Sequence, residues 1–406
     1  MRRRAAIVAG LMLLAGAGCV HRHAAAPPPA KPQMPQLSVV SRSPIRPDVS
    51  ALPVEPKSTP PKRPENYFQL TAYDCRFRAI KNAPYADELD AHPDNFASGH
   101  PWVRRLRGEP TDTEAGRKVR GHLADEFRNT AAGDALDKYF LLAQAEGQFD
   151  LLVKSLAELR ARLADAEEAE RRGLADRAGI DLLRVQVFDL EAKIAELESG
   201  IEGLNAALRA LLALDPRPLF PDDPLRVRPE DVDVDEAVRT GLHYRSDLNL
   251  LRTLLADDGA AADDLADAVL QQVSPMLARL KGNPLVGALV PRGDKADSAA
   301  TRRQLQSMLD MRTRQAEAEI RAAALELRGH RLAAVAKSAE VRRQLATLAE
   351  VEKRAAAGQP VSAELTKAKL DLWKSQGELL TAAVKWNQSD AKLKKAMGLL
   401  IRDESK

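Results

Sequence analysis

Apolar and polar positions alternate along this chain with a helical period over two long stretches. Leu152, Leu156, Leu159, Leu163 and Ala166 recur in steps of four and three. After Gly173 the spacing becomes stricter: Leu183, Val187, Leu190, Ile194, Leu197, Ile201, Leu204, Leu208 and Leu211. A heptad seam this regular has to face another helix, because an apolar stripe left in water gains nothing from its regularity. Each flank runs to about 35 residues, roughly 50 Å at 1.5 Å per residue. Glycine at 173 lets the chain leave one helix at little steric cost. Asp176 is placed to cap the returning helix, and Gly179 adds a second soft point. The pattern predicts an antiparallel helical hairpin over 134–216 with its tip at Gly173, Leu174, Asp176 and Gly179. It ends at "ALDPRPLFPDDP", where four prolines forbid continuation.

The second half repeats the plan over 301–401. A helix meets Gly358, Gln359 and Pro360, then returns with Ser362 as its expected N-cap. The returning stripe takes in Leu365, Leu372, Leu379, Ala383, Trp386, Leu393, Met397 and Leu400. Helix, glycine tip, helix occurs twice, which is the signature of an internal duplication. The predicted fold is all-α, two long coiled-coil-like antiparallel hairpins with little or no β-strand. Between the hairpins, 217–300 reads as a connector with short helices. The stretch 65–133 reads as helical or irregular.

Composition agrees with long helices rather than one thick core. Charged residues are 29% of the 406 and aromatics only 4%. The net charge of +3, with arginines interleaved among acids, gives no reason to expect nucleic acid as a partner.

The N-terminus has its own pattern. Arg2, Arg3 and Arg4 precede an apolar run from Ala5 to Ala17 that is too short for a comfortable membrane span. "LLAGAGC" places small residues before Cys19 and resembles a bacterial lipobox, although Gly16 stands where a leucine is usual. Residues 1–19 are therefore expected to be a lipoprotein signal ending in a lipidated Cys19. A plain cleaved signal, with Cys19 an ordinary residue, is the alternative. The only other cysteine is Cys75, so no disulfide framework exists; a Cys19–Cys75 bridge would forfeit the lipid. Twelve of the 25 prolines fall in 20–64, which reads as a stiff, extended, disordered linker.

Three stretches carry a resemblance to a known family. They are the hairpin "AEEAERRGLADRAGIDLLRVQVFDLEAKIAELESGIEGLNAALRALLALDP", the segment "DEAVRTGLHYRSDLNLLR" with its Arg-x-Asp-Leu element, and "EKRAAAGQPVSAELTKAKLDLWKSQGELLTAAVKWNQSDAKLKKAMGLL". In order and duplication they resemble TolC-like outer membrane efflux proteins. The resemblance implies a homotrimeric helical conduit in the bacterial cell envelope, held at the outer membrane and facing the periplasm. It implies a periplasmic adaptor that docks on the hairpin tips and an inner-membrane pump behind it. It also implies strand pairs near 66–130 and 255–300 that build a barrel, and neither stretch shows an alternating apolar run of about ten residues. The chain is thus expected to lack its own barrel and to rely on the Cys19 lipid. The alternative is a lipid-anchored coiled-coil spacer with no transport activity.

Catalytic signatures are missing from the sequence: no HExxH, CxxC, GxSxG, P-loop or GxGxxG occurs. His21 and His23 beside Cys19 are capable of binding metal but read as part of a linker of mixed polarity, and His92 and His100 sit in a loop-like stretch without a third ligand. No enzyme activity, cofactor or metal is expected.

Overall fold

The computed structural model describes residues 39–40, 66–83, 85–91, 114–174, 177–256 and 295–402. Eight helices are found among them: α1 Ala72–Lys81, α2 Ala86–Ala91, α3 Glu114–Arg171, α4 Arg177–Leu212, α5 Val234–Tyr244, α6 Ser246–Ala256, α7 Lys295–Ala356 and α8 Ser362–Ala396. Three short strands complete the set: β1 Val39–Val40, β2 Tyr67–Leu70 and β3 Leu219–Pro221. Cys19, Asp176 and the stretches 92–113 and 257–294, where barrel strands were sought in the sequence, lie outside the described residues.

The fold is all-α and duplicated. The first hairpin pairs a 58-residue α3 with a 36-residue α4; the second pairs a 62-residue α7 with a 35-residue α8. The two repeats thus pair a long helix with a shorter one in closely matching lengths. Short helices precede the long arm in both repeats, α1 and α2 before α3, α5 and α6 before α7.

The seams pack as their spacing predicts. Leu156, Leu159 and Leu163 meet Leu183, Val187, Leu190 and Ile194. Val341, Leu345 and Leu348 meet Leu372 and Leu379 in the second hairpin. The hairpins then pack side by side through α3 and α8, giving the row α4–α3–α8–α7. Polar contacts fix that junction: Gln144 and Gln148 donate to Thr381 Oγ1 (3.3 and 3.2 Å), and Lys369 pairs with Glu158 at 2.9 Å. The outer helices of the row are α4 and α7.

The structure departs from the sequence reading at the start of the first hairpin. The leading helix begins at Glu114, well before residue 134. The extra turns bury Ala115, Ala124 and Ala132 rather than leucines. Alanine gives close helix contact without an apolar stripe that a periodicity reading detects. Val119 there packs with Leu251, Leu254 and Leu305. The second departure lies in the proline-rich segment. Val39 and Val40 form a strand antiparallel to β2, and β2 pairs in parallel with β3. Two valines are too few to register as a strand in the sequence.

At the base of the hairpins, one core joins α1, α3, the end of α4, β3, α5, α7 and α8. It includes the fully buried Tyr139, Leu142, Leu208 and Leu219. The Tyr139 hydroxyl meets Asp223 Oδ2 at 3.2 Å, and Asp223 also accepts from the Ala72 amide, so the strap after β3 is tied to α1 and α3. Burial and the neighbouring Asp223 carboxylate push the Tyr139 phenol well above its ordinary pKa.

Beside this core lies an ionic clamp. Arg245, only 7% exposed, makes a two-pronged pair with Asp247 (3.0 and 2.8 Å) and reaches Glu319 Oε2 at 2.6 Å and the Ala396 carbonyl at 3.1 Å. Arg312 closes the circuit to Asp247 (2.7 Å) and Glu319 (3.0 Å). The α5–α6 junction is thereby locked to α7 and to the end of α8. Burial alone would lower the Arg245 pKa, but its bonds to Asp247 and Glu319 outweigh that and raise it. Burial would raise Asp247, and its bonds from Arg245 and Arg312 reverse the sign and hold it below the usual carboxylate range.

Candidate functional site: the hairpin tips and the open edges

Both tips are closed by the same backbone device. At the first, Gly173 takes φ +70°; its N–H donates to the Glu170 carbonyl (2.8 Å), and the Leu174 N–H donates to the Ala169 carbonyl (2.8 Å). At the second, Gly358 takes φ +80°; its N–H donates to Ala355 (3.0 Å) and the Gln359 N–H to Arg354 (3.2 Å). This paired bonding satisfies the last carbonyls of the helix and needs a left-handed residue, which glycine supplies without a Cβ penalty.

The remaining sequence-predicted tip residues separate. Leu174 is 78% exposed. Gly179 sits in the first turn of α4 rather than in the turn. Gln359 and Pro360 are exposed. Val361, not Ser362, occupies the cap position of α8, and it makes no side-chain capping bond. Its buried side chain instead packs with Val351 and Ala368, fixing the entry of α8 by an apolar contact. Ser362 is the first residue of α8, and its Oγ accepts from Arg162 Nη1 at 3.2 Å. That bond brings the second tip against the arm of the first. Beyond Arg162, α3 continues to Arg171, roughly 14 Å further at 1.5 Å per residue, so the first tip projects past the start of α8. Charged pairs brace this projection: Arg184 reaches Glu167 (2.8 Å) and Asp181 (3.0 Å) across and along the hairpin.

The outer helices have apolar faces that nothing in the described chain covers. On α4, Leu182, Val185 and Phe188 are 61, 55 and 65% exposed. Exposed Ala192, Ala195, Gly203 and Ala206 continue that side of the helix toward the base. On α7, Leu325, Leu332 and Val335 are 58, 58 and 55% exposed, in line with exposed Ala318, Ala322, Ala336 and Ala339. The α4 edge stands beside the Leu183–Leu211 seam at helical spacing. The α7 edge makes no conspicuous pattern in the sequence, because most of the residues along it are small.

A groove of about 530 Å³ opens on α3, α8 and α7, lined by Asp134, Asp137, Glu326, His330, Lys385 and Lys392 among others. Among the described residues no group of three or more His, Cys, Asp or Glu is placed to hold a metal ion. No helix among them is long and apolar enough to cross a membrane.

No protein-family model and no curated protein matches the chain. Solved structures do. CusC, a protein described for its transmembrane channel formation, superposes with TM-score 0.52 at 15% identity, over 80% of this chain and 91% of that one. The OprN outer-membrane channel gives 0.51 at 12% identity, over 80% and 89%. The Campylobacter jejuni CmeC outer membrane channel gives 0.50 at 13% identity, over 70% of this chain and 66% of that one, so the match spans just under two thirds of CmeC. The chain thus has the fold of the TolC-like outer membrane channels, built here from duplicated hairpins with left-handed glycine tips and a base core that gathers the short helices.

Proposed function

We propose that the chain is one subunit of an efflux conduit in the bacterial cell envelope, working as a homotrimer without enzymatic chemistry. The observation that carries this reading is the pair of open edges. Helices α3 and α8 are packed on both sides, whereas α4 and α7 each carry an apolar stripe that no described residue covers. A row of four helices with unlike open edges is satisfied by joining α4 of one copy to α7 of the next. Such a head-to-tail contact closes into a ring when the rotation permits. Exposed leucines and phenylalanine on a solitary spacer would be a liability instead.

In this reading the tips serve a periplasmic partner, an adaptor with an inner-membrane pump behind it, through Gly173, Leu174, Asp176 and Gly179 and through Gly358, Gln359, Pro360 and Ser362. Cys19 supplies a lipid anchor at the outer membrane, with the hairpins facing the periplasm. The neighbours described above are outer-membrane channels, and that supports the setting.

The test is the mass of the full chain in mild detergent, measured for wild type and for Leu332→Glu. A trimer that the edge substitution dissociates supports the conduit; a wild-type monomer sinks it in favour of the spacer. Palmitate labelling of wild type and Cys19→Ser checks the anchor, and equal labelling of the two rules it out. Complementation of an efflux-deficient strain checks export.

A further inference from the structure

Helix α8 lies in the middle of the row and is nearly all covered. Beyond its first turn, only four of its residues are exposed: Lys367, Lys374, Lys385 and Lys392. Their spacings of seven and eleven return to the same side of a helix, so they form a straight row roughly 37 Å long at 1.5 Å per residue. Lys392 pairs with Glu326 at 2.6 Å. Lys367, Lys374 and Lys385 have no ion pair among the described residues, while acids beside them are engaged elsewhere, Glu378 with Lys337 at 2.5 Å and Asp134 with Lys395 at 3.0 Å. The row runs into the groove between α3, α8 and α7, where Asp137 accepts from Gln388 at 2.6 Å.

The row occupies the face of the helix array that no described residue covers. On the opposite face the strap after β3 crosses α8, with Asn387 Nδ2 donating to the Arg226 carbonyl at 3.2 Å, about 160° around the helix from Lys385. The strap also engages α7 through Arg331 and Asp231 at 2.6 Å. A ring of such arrays accommodates these added elements on its outside, because the inside of a closing ring has less room. The lysine face is then the inner wall.

We propose that Lys367, Lys374 and Lys385 form an anion-binding track on that wall, and that the solutes it serves carry several negative charges. Unpaired ammonium groups in line along a confined, water-filled wall raise the local concentration of anions far more than scattered surface lysines do. The inference rests on the conduit reading for its setting, and the binding itself is measured separately.

The test uses the full chain in detergent and a trisulfonated pyrene dye, read by fluorescence anisotropy at low salt, with spermidine as the trivalent cation for comparison. The track predicts that the dye binds in preference to spermidine. It predicts that the triple variant Lys367→Gln, Lys374→Gln, Lys385→Gln weakens dye binding by about tenfold, and that added salt weakens wild type more steeply than the variant. The control, Lys193→Gln with Lys353→Gln on the outer helices, leaves binding unchanged. Equal dye affinity for wild type and the triple variant overturns the proposal, as does equal loss in the control. Mass measured on the same samples separates the two readings: a trimer indifferent to the dye removes the track and keeps the conduit, and a monomer that binds the dye through these lysines keeps the track and removes the conduit.

Discussion

The base of the hairpins and their arms are held by different physics. At the base, chain segments far apart in sequence converge on one core and one ionic clamp, with Arg245 joined to Asp247, Glu319 and the end of α8. In the arms, a thin seam does the work. Over the 36 residues of α4 only Ile180, Val187, Ile201, Asn205, Leu208 and Leu212 are buried, and the last four belong to the end near the base. The base therefore sets how the two hairpins sit against each other. The arms are stiff rods whose ends tolerate change, and the candidate partner-facing residues lie at those ends.

The largest effect is expected from the clamp. Arg245→Ala leaves Asp247 and Glu319 with only Arg312, in a site where charge is poorly hydrated. Removing one partner of a buried pair costs about 3–5 kcal/mol. Unfolding of the full chain by denaturant measures it. Lys118→Ala, which removes an exposed i,i+4 pair with Glu114, is expected to leave stability nearly unchanged. If the two variants unfold alike, the clamp does not organise the base.

A leucine pair sharpens the contrast within one helix hairpin. Leu208 is fully buried at the base, while Leu163 is partly covered in the arm. Leu208→Ala is expected to cost about 3 kcal/mol and Leu163→Ala about 1 kcal/mol, because the arm site keeps water nearby and leaves a smaller cavity. Equal costs would mean that the arm is as tightly packed as the base.

Acid should loosen the clamp. Asp247 is held below its ordinary pKa in the folded chain, so its contribution is present above the unfolded value of 3.8 and is lost as pH falls through the lower folded value. Wild type is expected to lose stability over that window, and Asp247→Asn to start lower and lose less. An identical acid profile for both would take the clamp out of the account. The seams carry no titrating group, so they add no slope there.

The same division explains what the sequence disclosed. The arms were legible because a heptad seam is a local signal, and each leucine from 183 to 211 announces the next. The glycines at 173 and 358 were legible as turn residues, and the structure gives both the positive φ that explains them. The base was mostly illegible. Arg245 and Asp247 stood out as an element, but Glu319 and Arg312, which complete it, are 74 and 67 positions from Arg245 and are ordinary charged residues of a long helix. The start of α3 at Glu114 was hidden because alanines, not leucines, fill that interface. Ser362 was read as a cap from its residue type, whereas the buried Val361 takes the position and the serine hydroxyl is used by Arg162.

The smallest effect on stability is expected at the tips, and it decides whether the arms are independent of them. Gly173→Ala and Gly358→Ala each place a Cβ on a left-handed residue, which costs about 1 kcal/mol. Space is not the obstacle, since an added Cβ at either position meets nothing within 4 Å. The strain is therefore confined to φ, and a frayed last turn relieves it. Seams such as Leu156, Val187 and Leu190 in one arm and Val351, Val361 and Ala368 in the other hold the helices on either side of each turn. Far-UV circular dichroism and the melting midpoint should move little, while cross-linking of the tips to an inner-membrane-attached partner should fall, because Leu174 and Gln359 lose their fixed presentation. Should either alanine variant instead melt as a whole, alongside Arg245→Ala, then base and arms form one cooperative unit and the contrast drawn between them fails.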